Sequence, residues 1–234
     1  MPLILNNPST VVTGTGPKTF LELTNSVLQR LRESVVTSVT QTDYSTLIGI
    51  FVNEAKREVE DAWNWDSLST SVTIPMVAGQ RNYNLTGSHS RTRVLEAYNT
   101  TRRWRMQQAP TNQYINNLLA LTVTQNASPY VYDIFNYDTA TGEIVFRVNP
   151  VPTEADSLIF YIINPQEDLT TDSDILYVPK DPVIQLAYLK AINERGEDNG
   201  RASEIQERIY RSTLAEAISQ DDIHSSGNSL WQAV

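Results

Sequence analysis

The hydrophobic residues of this chain change their spacing twice, and this limits the possible fold more than any other feature. Apolar side chains recur at helical intervals over residues 19–33 and 43–66. Between residues 67 and 165 they alternate with polar side chains in short runs, as in half-buried strands. Helical spacing returns over residues 181–196 and 201–220. We therefore predict an α+β fold, in which a helical bundle from both chain ends carries a central antiparallel β-rich insertion domain.

Changes in composition give the predicted domain boundaries. Residues 1–17 are rich in Asn, Ser, Thr, Pro and Gly, which predicts a flexible N-terminal arm. Residues 18–66 and 176–222 form the predicted helical domain, and residues 67–175 form the predicted β-rich domain. Residues 223–234 are assigned to a polar C-terminal tail.

Capping signals mark the predicted ends of the helices. Thr19 and Glu22 have the spacing of a capping box. Asp43 is a candidate N-cap for the second helix. Asp181 precedes a proline, which is typical of a helix start, and Gly196 stands where a C-terminal cap belongs.

Turn residues predict how the strands pair. Leu68–Ile74 and Arg81–Leu85 flank a glycine-containing turn, which predicts a hairpin. Arg93–Tyr98 and Arg103–Met106 predict a second hairpin. Residues 109–125 fit a short helix in their first part and a strand in their second, so their structure stays open.

Composition excludes several kinds of chemistry. The 234 residues include no cysteine, which removes disulfides, thiolate zinc sites and thiol nucleophiles. The two histidines, His89 and His224, are far apart, which argues against a histidine-rich metal site. No apolar run approaches the roughly 18 residues that span a bilayer. We expect a protein that is not an enzyme, with no catalytic residue, cofactor, metal or membrane partner.

The net charge limits contact with nucleic acid. Eighteen basic and 27 acidic residues give a formal net charge of −9. Duplex DNA carries one negative charge per about 1.7 Å, so the chain as a whole repels it. Any contact with DNA must be weak or local.

Charged residues follow one face of the second predicted helix. Glu54, Glu58 and Asp61 are three or four residues apart, a spacing that an acid/base pair could use. Basic residues four positions before acidic ones favour instead a solvated, ion-paired face. The pairs with this spacing are Lys56 with Glu60 and Arg57 with Asp61. We favour the ion-paired face and place it at a subunit boundary.

Three aspartates cluster late in the chain, at Asp168, Asp172 and Asp174. They lack the glycine and the distant glutamate of a calcium-binding loop. We interpret them as turn-forming residues.

The one basic patch surrounds Trp104. Its arginines are Arg91, Arg93, Arg102, Arg103 and Arg105. Arginine next to an aromatic side chain suits either a phosphate or base-stacking surface, or a protein interface. We favour the protein interface because the surrounding chain is acidic.

Two segments carry a resemblance to a known family. Residues 53–65 read NEAKREVEDAWNW, and residues 178–198 read VPKDPVIQLAYLKAINERGED. Together with the opening helix and the β-rich middle, they resemble the head-to-tail adaptor (connector) proteins of tailed bacteriophages. These include the tail tubular protein A-like proteins of short-tailed phages. The resemblance spans most of residues 18–222.

The resemblance implies a structural protein of the virion. Such adaptors form a ring, commonly of twelve copies, between the portal protein and the tail nozzle or tail tube protein. Double-stranded DNA passes through the ring without specific binding during ejection. This places the protein in the neck between capsid and tail, after assembly in the cytoplasm of the host bacterium. Terminal segments of related adaptors engage the portal, so Leu230 and Trp231 become predicted portal anchors.

The predicted subunit-interface residues combine the charged helix face with the basic patch. They are Lys56, Arg57, Glu60, Asp61, Arg102, Arg103, Trp104 and Arg105. Two other functions stay open. One is a tail-associated glycan-binding module that uses Trp104 and tyrosines. The other is a carboxylate-based glycan hydrolase, which needs two carboxylates about 5 to 10 Å apart.

Overall fold

The order of helices and strands follows the two changes in hydrophobic spacing. The computed structural model describes residues 18–120, 128–196 and 201–226. Its helices are α1 (Phe20–Arg30), α2 (Asp43–Ala62), α3 (Asn112–Ala120), α4 (Lys180–Arg195) and α5 (Arg201–Ser226). Its strands are β1 (Ser69–Met76), β2 (Asn82–Leu85), β3 (Arg93–Asn99), β4 (Trp104–Arg105), β5 (Gln107–Gln108), β6 (Val131–Tyr137), β7 (Ile144–Asn149) and β8 (Asp156–Ile163). The predicted α+β class is confirmed, with helices at both ends and mainly antiparallel sheets between them.

The chain divides into two compact units. The described parts of residues 1–63 and 167–234 form one, called here the helical unit. Residues 64–166 form the other, called here the β unit. The observed boundary at residue 166 lies before the predicted one at residue 175, because the segment after it is hydrogen-bonded to α1 and α2.

The first two helices begin with capping boxes. Thr19 Oγ1 accepts a hydrogen bond from the Glu22 backbone N–H at 3.3 Å, and Glu22 accepts one from the Thr19 N–H at 3.1 Å, as predicted. In α2 the N-cap is Thr42, paired with Ser45, so the prediction of Asp43 as cap is wrong. Asp43 lies instead in the first turn of the helix, where its negative charge interacts favourably with the positive end of the helix dipole.

The ends of α4 show a similar difference. The helix begins at Lys180 after Pro179, so Asp181 lies inside the first turn and does not cap it. Gly196 ends α4 as predicted. Its φ of 64° is in the left-handed region, which glycine adopts without strain, and its N–H donates to Ile192 O at 3.1 Å.

Helix α5 runs beyond its predicted end at residue 220. It continues to Ser226, and the Trp63 indole N–H donates to the Asp221 carboxylate at 3.1 Å, which fixes this part of the helix. The first residues of the predicted tail at 223–234 are therefore helical, and residues 227–234 lie outside the described residues.

The four long helices of the helical unit pack on one another. Helices α1, α2 and α4 are in mutual contact, and α5 packs against α4. They bury an apolar set from α1, α2 and α4: Leu23, Val27, Ile48, Val52, Ala55, Val59, Val183, Ala187 and Ala191. This is the predicted bundle built from both chain ends.

The β unit is a pair of four-stranded sheets around one core. The strand orders are β1-β8-β3-β4 and β2-β7-β6-β5, and only β5 runs parallel to its neighbour. Strands of both sheets contribute to a single buried cluster, in which the Phe146 and Phe160 rings lie 4.5 Å apart between centroids. The shared core identifies the unit as a β-sandwich.

The pairing of the strands differs in part from the predicted hairpins. Strands β1 and β2 do not pair, because β1 pairs with β8 and β2 pairs with β7 in the other sheet. The turn between them carries the chain across the sandwich, so that both strands face the core from opposite sides. The second hairpin is confirmed, with Tyr98 opposite Arg105. The open segment 109–125 begins with α3, and residues 121–127 lie outside the described residues.

Candidate functional site

The charged face of α2 is divided between interior and surface. Lys56 Nζ lies 3.2 Å from Glu60 Oε1, and both side chains are fully buried. Lys56 also donates to the Glu167 carbonyl oxygen at 2.9 Å. The prediction of a solvated face is wrong for this pair, because the chain after residue 166 covers it. Lys56 and Glu60 are thus interior residues of the subunit.

The exposed part of this face carries Arg57. Its Nε donates to Asp168 Oδ1 at 2.9 Å, and its Nη2 bonds to Asp168 Oδ2. The hydrogen bond and charge of Asp168 raise the pKa of Arg57. Arg57 and Asp61 both remain exposed on α2, so both residues are accessible to a neighbouring molecule.

Two of the three candidate acid/base residues, Glu54 and Glu58, share a lysine. Lys190 of α4 lies with its Nζ 3.2 Å from Glu54 and 2.7 Å from Glu58. Burial lowers the pKa of Lys190, but the hydrogen bonds with both glutamates outweigh this and raise it. These carboxylates therefore tie α2 to α4, a structural role that sequence spacing did not indicate.

The segment 167–174 lies along α1 and α2, and we call it the return segment. The Asn53 side chain forms two hydrogen bonds with the backbone of Leu169 in this segment. Its Nδ2 donates to Leu169 O at 3.0 Å, and its Oδ1 accepts from Leu169 N at 2.9 Å. Asp172 accepts a hydrogen bond from the Val39 N–H at 2.9 Å. Polar residues of the NEAKRE string thus hold a distant segment of their own chain. Sequence reasoning missed this role, because residues 111 to 116 positions apart carry no shared local signal.

The last aspartate of the return segment forms a turn. Asp174 accepts hydrogen bonds from the N–H groups of Thr170 at 2.7 Å and Thr171 at 2.8 Å. Bonds from the Thr171 side chain and from these backbone groups lower the pKa of Asp174 to about 2. The turn-forming interpretation is confirmed for this residue. The residues described here contain no group of three or more potential metal ligands.

The basic patch is partly neutralised. Arg102 pairs with Glu154 at 2.9 Å and approaches Asp156 at 3.5 Å. Arg105 pairs with Glu96 at 2.9 Å. Because carboxylates occupy these guanidinium groups, the patch is a weaker phosphate site than its arginine count indicates.

Trp104 lies at the centre of the patch in a fixed position. Its indole N–H donates to Pro129 O at 3.0 Å, and 38% of the residue remains exposed. Arg103, just before it, is exposed with a φ of 62°. An aromatic ring held at the surface among ion-paired arginines suits a protein interface.

The outer edge of β1 is a further surface, which sequence reasoning missed. β1 is the first strand of its sheet, and Ser69, Ser71, Thr73 and Pro75 are exposed along it. The sequence feature that could have indicated this edge is the segment from Ser67 to Gln80, which contains no charged residue. Edge strands are usually protected by charged side chains.

Two predicted features fall outside the described residues, the N-terminal arm at 1–17 and the portal anchors Leu230 and Trp231. Among the helices that the structure does describe, none combines the length and hydrophobicity needed to cross a bilayer.

Comparison with known proteins assigns the chain to a family. Residues 18–230 match the SU10 adaptor protein family. A search of curated proteins found no significant match. The family match covers all of the β unit and nearly all of the helical unit, and it does not support either glycan-directed alternative. The chain belongs to the SU10 adaptor protein family, and its role is that of a structural adaptor of a bacteriophage.

Proposed function

We propose that this adaptor forms a ring in the virion neck that joins the portal protein to the tail, in the manner of tail tubular protein A-like connectors. Twelve copies surround a channel through which double-stranded DNA leaves the capsid. The observation that carries the proposal is the family match across residues 18–230, which includes both units.

Lateral contacts between copies use two different surfaces of each subunit, since a closed ring requires head-to-tail contacts. Exposed residues of α2 supply one surface, and the turn around Trp104 supplies the other. Lys56 and Glu60 drop out of the interface because they are buried within the subunit. The retained residues are Arg57, Asp61, Arg102, Arg103, Trp104 and Arg105.

The charge of the chain supports passage of DNA without retention. Each copy carries a net charge of −9, and several of its arginines are already paired with carboxylates. A channel lined by such subunits repels the phosphate backbone.

The mass of the assembly formed with the portal protein of the same phage tests the ring. We expect native mass spectrometry to give a portal complex with one adaptor per portal subunit. Adaptor that stays monomeric beside intact portal rings would contradict the proposal.

Deletion of residues 227–234 tests the terminal anchor and leaves the described helix α5 complete. We expect the deletion, and the double substitution Leu230→Ala with Trp231→Ala, to abolish portal binding. The matched control is Gln232→Ala, which we expect to bind normally. Unchanged portal binding by the deletion variant would remove Leu230 and Trp231 from the interface.

A further inference from the structure

The net charge of the chain is confined to one of its two units. Residues 64–166, the β unit, contain seven arginines and seven acidic residues, so this unit has no formal net charge. The whole net charge of −9 therefore belongs to residues 1–63 and 167–234. Helical units of two copies repel each other, whereas a β unit can approach the helical unit of another copy without this repulsion. The charge distribution thus favours contacts between unlike units.

The β unit presents a basic and aromatic surface, which we call the aromatic tip and define as Arg103, Trp104 and Tyr130. Trp104 and Tyr130 are each 38% exposed, and they are neighbours because the Trp104 indole N–H donates to O of Pro129. Arg103 is exposed, and within the described residues its guanidinium group has no ion pair or hydrogen bond. It differs in this from the two ion-paired arginines of the same turn. The tip therefore combines an available positive charge with exposed aromatic surface.

The outward face of α2 has the complementary chemistry. Ile50 on this face is 50% exposed although it is apolar. Asp43, Arg57 and Asp61 lie seven or eleven positions from Ile50, which places them on the same face, and all three are exposed. Arg57 is neutralised by Asp168, so the excess charge of the face is negative.

Asp43 is the carboxylate of this face that is available for a new ion pair. Within the part of the chain that the structure describes, its side chain has no ion pair or hydrogen bond. It lies seven residues before Ile50, a distance of about 10 Å along the helix axis. The face thus offers an apolar side chain and, two turns away, an unused negative charge.

We propose that the aromatic tip of one copy docks on the outward face of α2 of the next copy, with Trp104 packed on Ile50 and Arg103 paired with Asp43. The inference rests on the proposed ring and names the residues that meet in its lateral contact. Each copy supplies both surfaces, and they are unlike, as a closed ring requires. Tryptophan and arginine are the side chains that most often anchor an interface. The hydrogen bond of its indole already fixes Trp104, so docking costs it little conformational freedom.

Cross-linking tests the contact directly, because the native chain contains no cysteine. Thr46→Cys lies one turn before Ile50, and Ala155→Cys follows the glutamate that pairs with Arg102; both positions are exposed. Chains with one substitution are mixed with chains carrying the other, assembled on the portal protein and treated with a short bismaleimide. Mixing restricts links between the two sites to different chains. We expect linked pairs in the mixed rings, and none when Ser212→Cys on exposed α5 replaces Thr46→Cys.

Three results of the cross-linking would overturn the inference. They are equal linking in the Ser212→Cys control, links formed by either single variant alone, and no links in rings whose full mass is confirmed. The last result would leave the tip to a different partner. Failure of the ring itself is seen separately, by native mass, and would remove the proposed function together with this contact.

Exchange of the paired charges gives a second test. Arg103→Glu and Asp43→Arg each bring like charges together, and we expect each to raise the protein concentration needed for ring formation by about tenfold. The double variant restores opposite charges and should recover most of the native assembly. Glu216→Arg on α5 is the matched control, since it is exposed and changes the net charge as Asp43→Arg does. It should assemble like the native protein.

Recovery in the double variant separates pairing from loss of folding, because a second substitution of opposite charge does not repair a misfolded subunit. A double variant that assembles no better than the single variants would count against the pair of Arg103 with Asp43. Equal weakening by Glu216→Arg would show that the net charge of the chain, and not this contact, controls assembly.

Discussion

At the scale of single residues, the ion pair between Lys56 and Glu60 has a consequence for the stability of the fold. Both side chains are fully buried, so each charge has lost its hydration and depends on protein partners. Lys56 obtains them from Glu60 and from the Glu167 carbonyl. The pair therefore links the interior of α2 to the return segment.

Removing only one charge of this pair should be more harmful than removing both. We expect Glu60→Leu to lower the free energy of unfolding by about 3–5 kcal/mol, since it leaves the lysine charge buried without its carboxylate. The double variant Lys56→Met with Glu60→Leu should recover much of that loss. Urea unfolding of the two variants measures the difference, and a double variant less stable than Glu60→Leu would contradict this account.

At the scale of elements, Gly49 sets the distance between α2 and its neighbours. A Cβ at this position would lie 2.7 Å from Val39 Cγ1 and 3.0 Å from Phe20 Cζ. Val39 is buried and β-branched, so it has little freedom to move aside. The absence of a side chain at residue 49 is what permits this close approach.

Gly49→Ala should therefore have two opposing effects on stability, a gain from higher helix propensity and a loss from overpacking. Alanine favours the helix by about 1 kcal/mol, but overpacking costs about 1–3 kcal/mol, and packing should win because the contact is with a stiff buried residue. We expect a net loss of about 1 kcal/mol in thermal or urea unfolding. In a Val39→Ala background the same substitution should cost less. An equal cost in both backgrounds would place the effect elsewhere.

The elements also show what the sequence could and could not predict. The box of Thr19 with Glu22 and the cap at Gly196 were predictable, because each depends on residues within one helical turn. The pairing of β1 with β8 was not, because its partners are 80 to 94 residues apart, as in Met76 with Asp156 and Ser69 with Ile163. A turn such as Val77–Gln80 has similar residues whether it closes a hairpin or crosses between sheets.

The same limit applies to the candidate site. Charge spacing predicted ion pairs on α2, and Lys56 does pair with Glu60. Burial of that pair depends on the return segment, which is more than 100 residues away in the sequence. The position of β1 at the edge of its sheet likewise becomes visible only when its partner strand is known.

At the scale of the whole molecule, the β unit is inserted at one point of the helical unit. Its first strand and its last strand are antiparallel neighbours, with Ser69 opposite Ile163. The chain therefore enters and leaves the sandwich side by side. Since the β unit also has its own core from both sheets, it contains what a domain needs to fold independently.

We accordingly expect residues 64–166, expressed alone, to fold and to unfold cooperatively in urea. The shared cluster supplies the stability, and the Phe160 ring lies at its centre, packed on Phe146 and Tyr132. Phe160→Ala should cost the fragment about 3–5 kcal/mol, which is enough to abolish most of its cooperative transition. Exposed Tyr161→Ala on the same strand is the matched control and should have a much smaller effect. A fragment without a cooperative transition would show that the sandwich needs the helical unit to fold, and the adaptor would then be one folding unit despite its two cores.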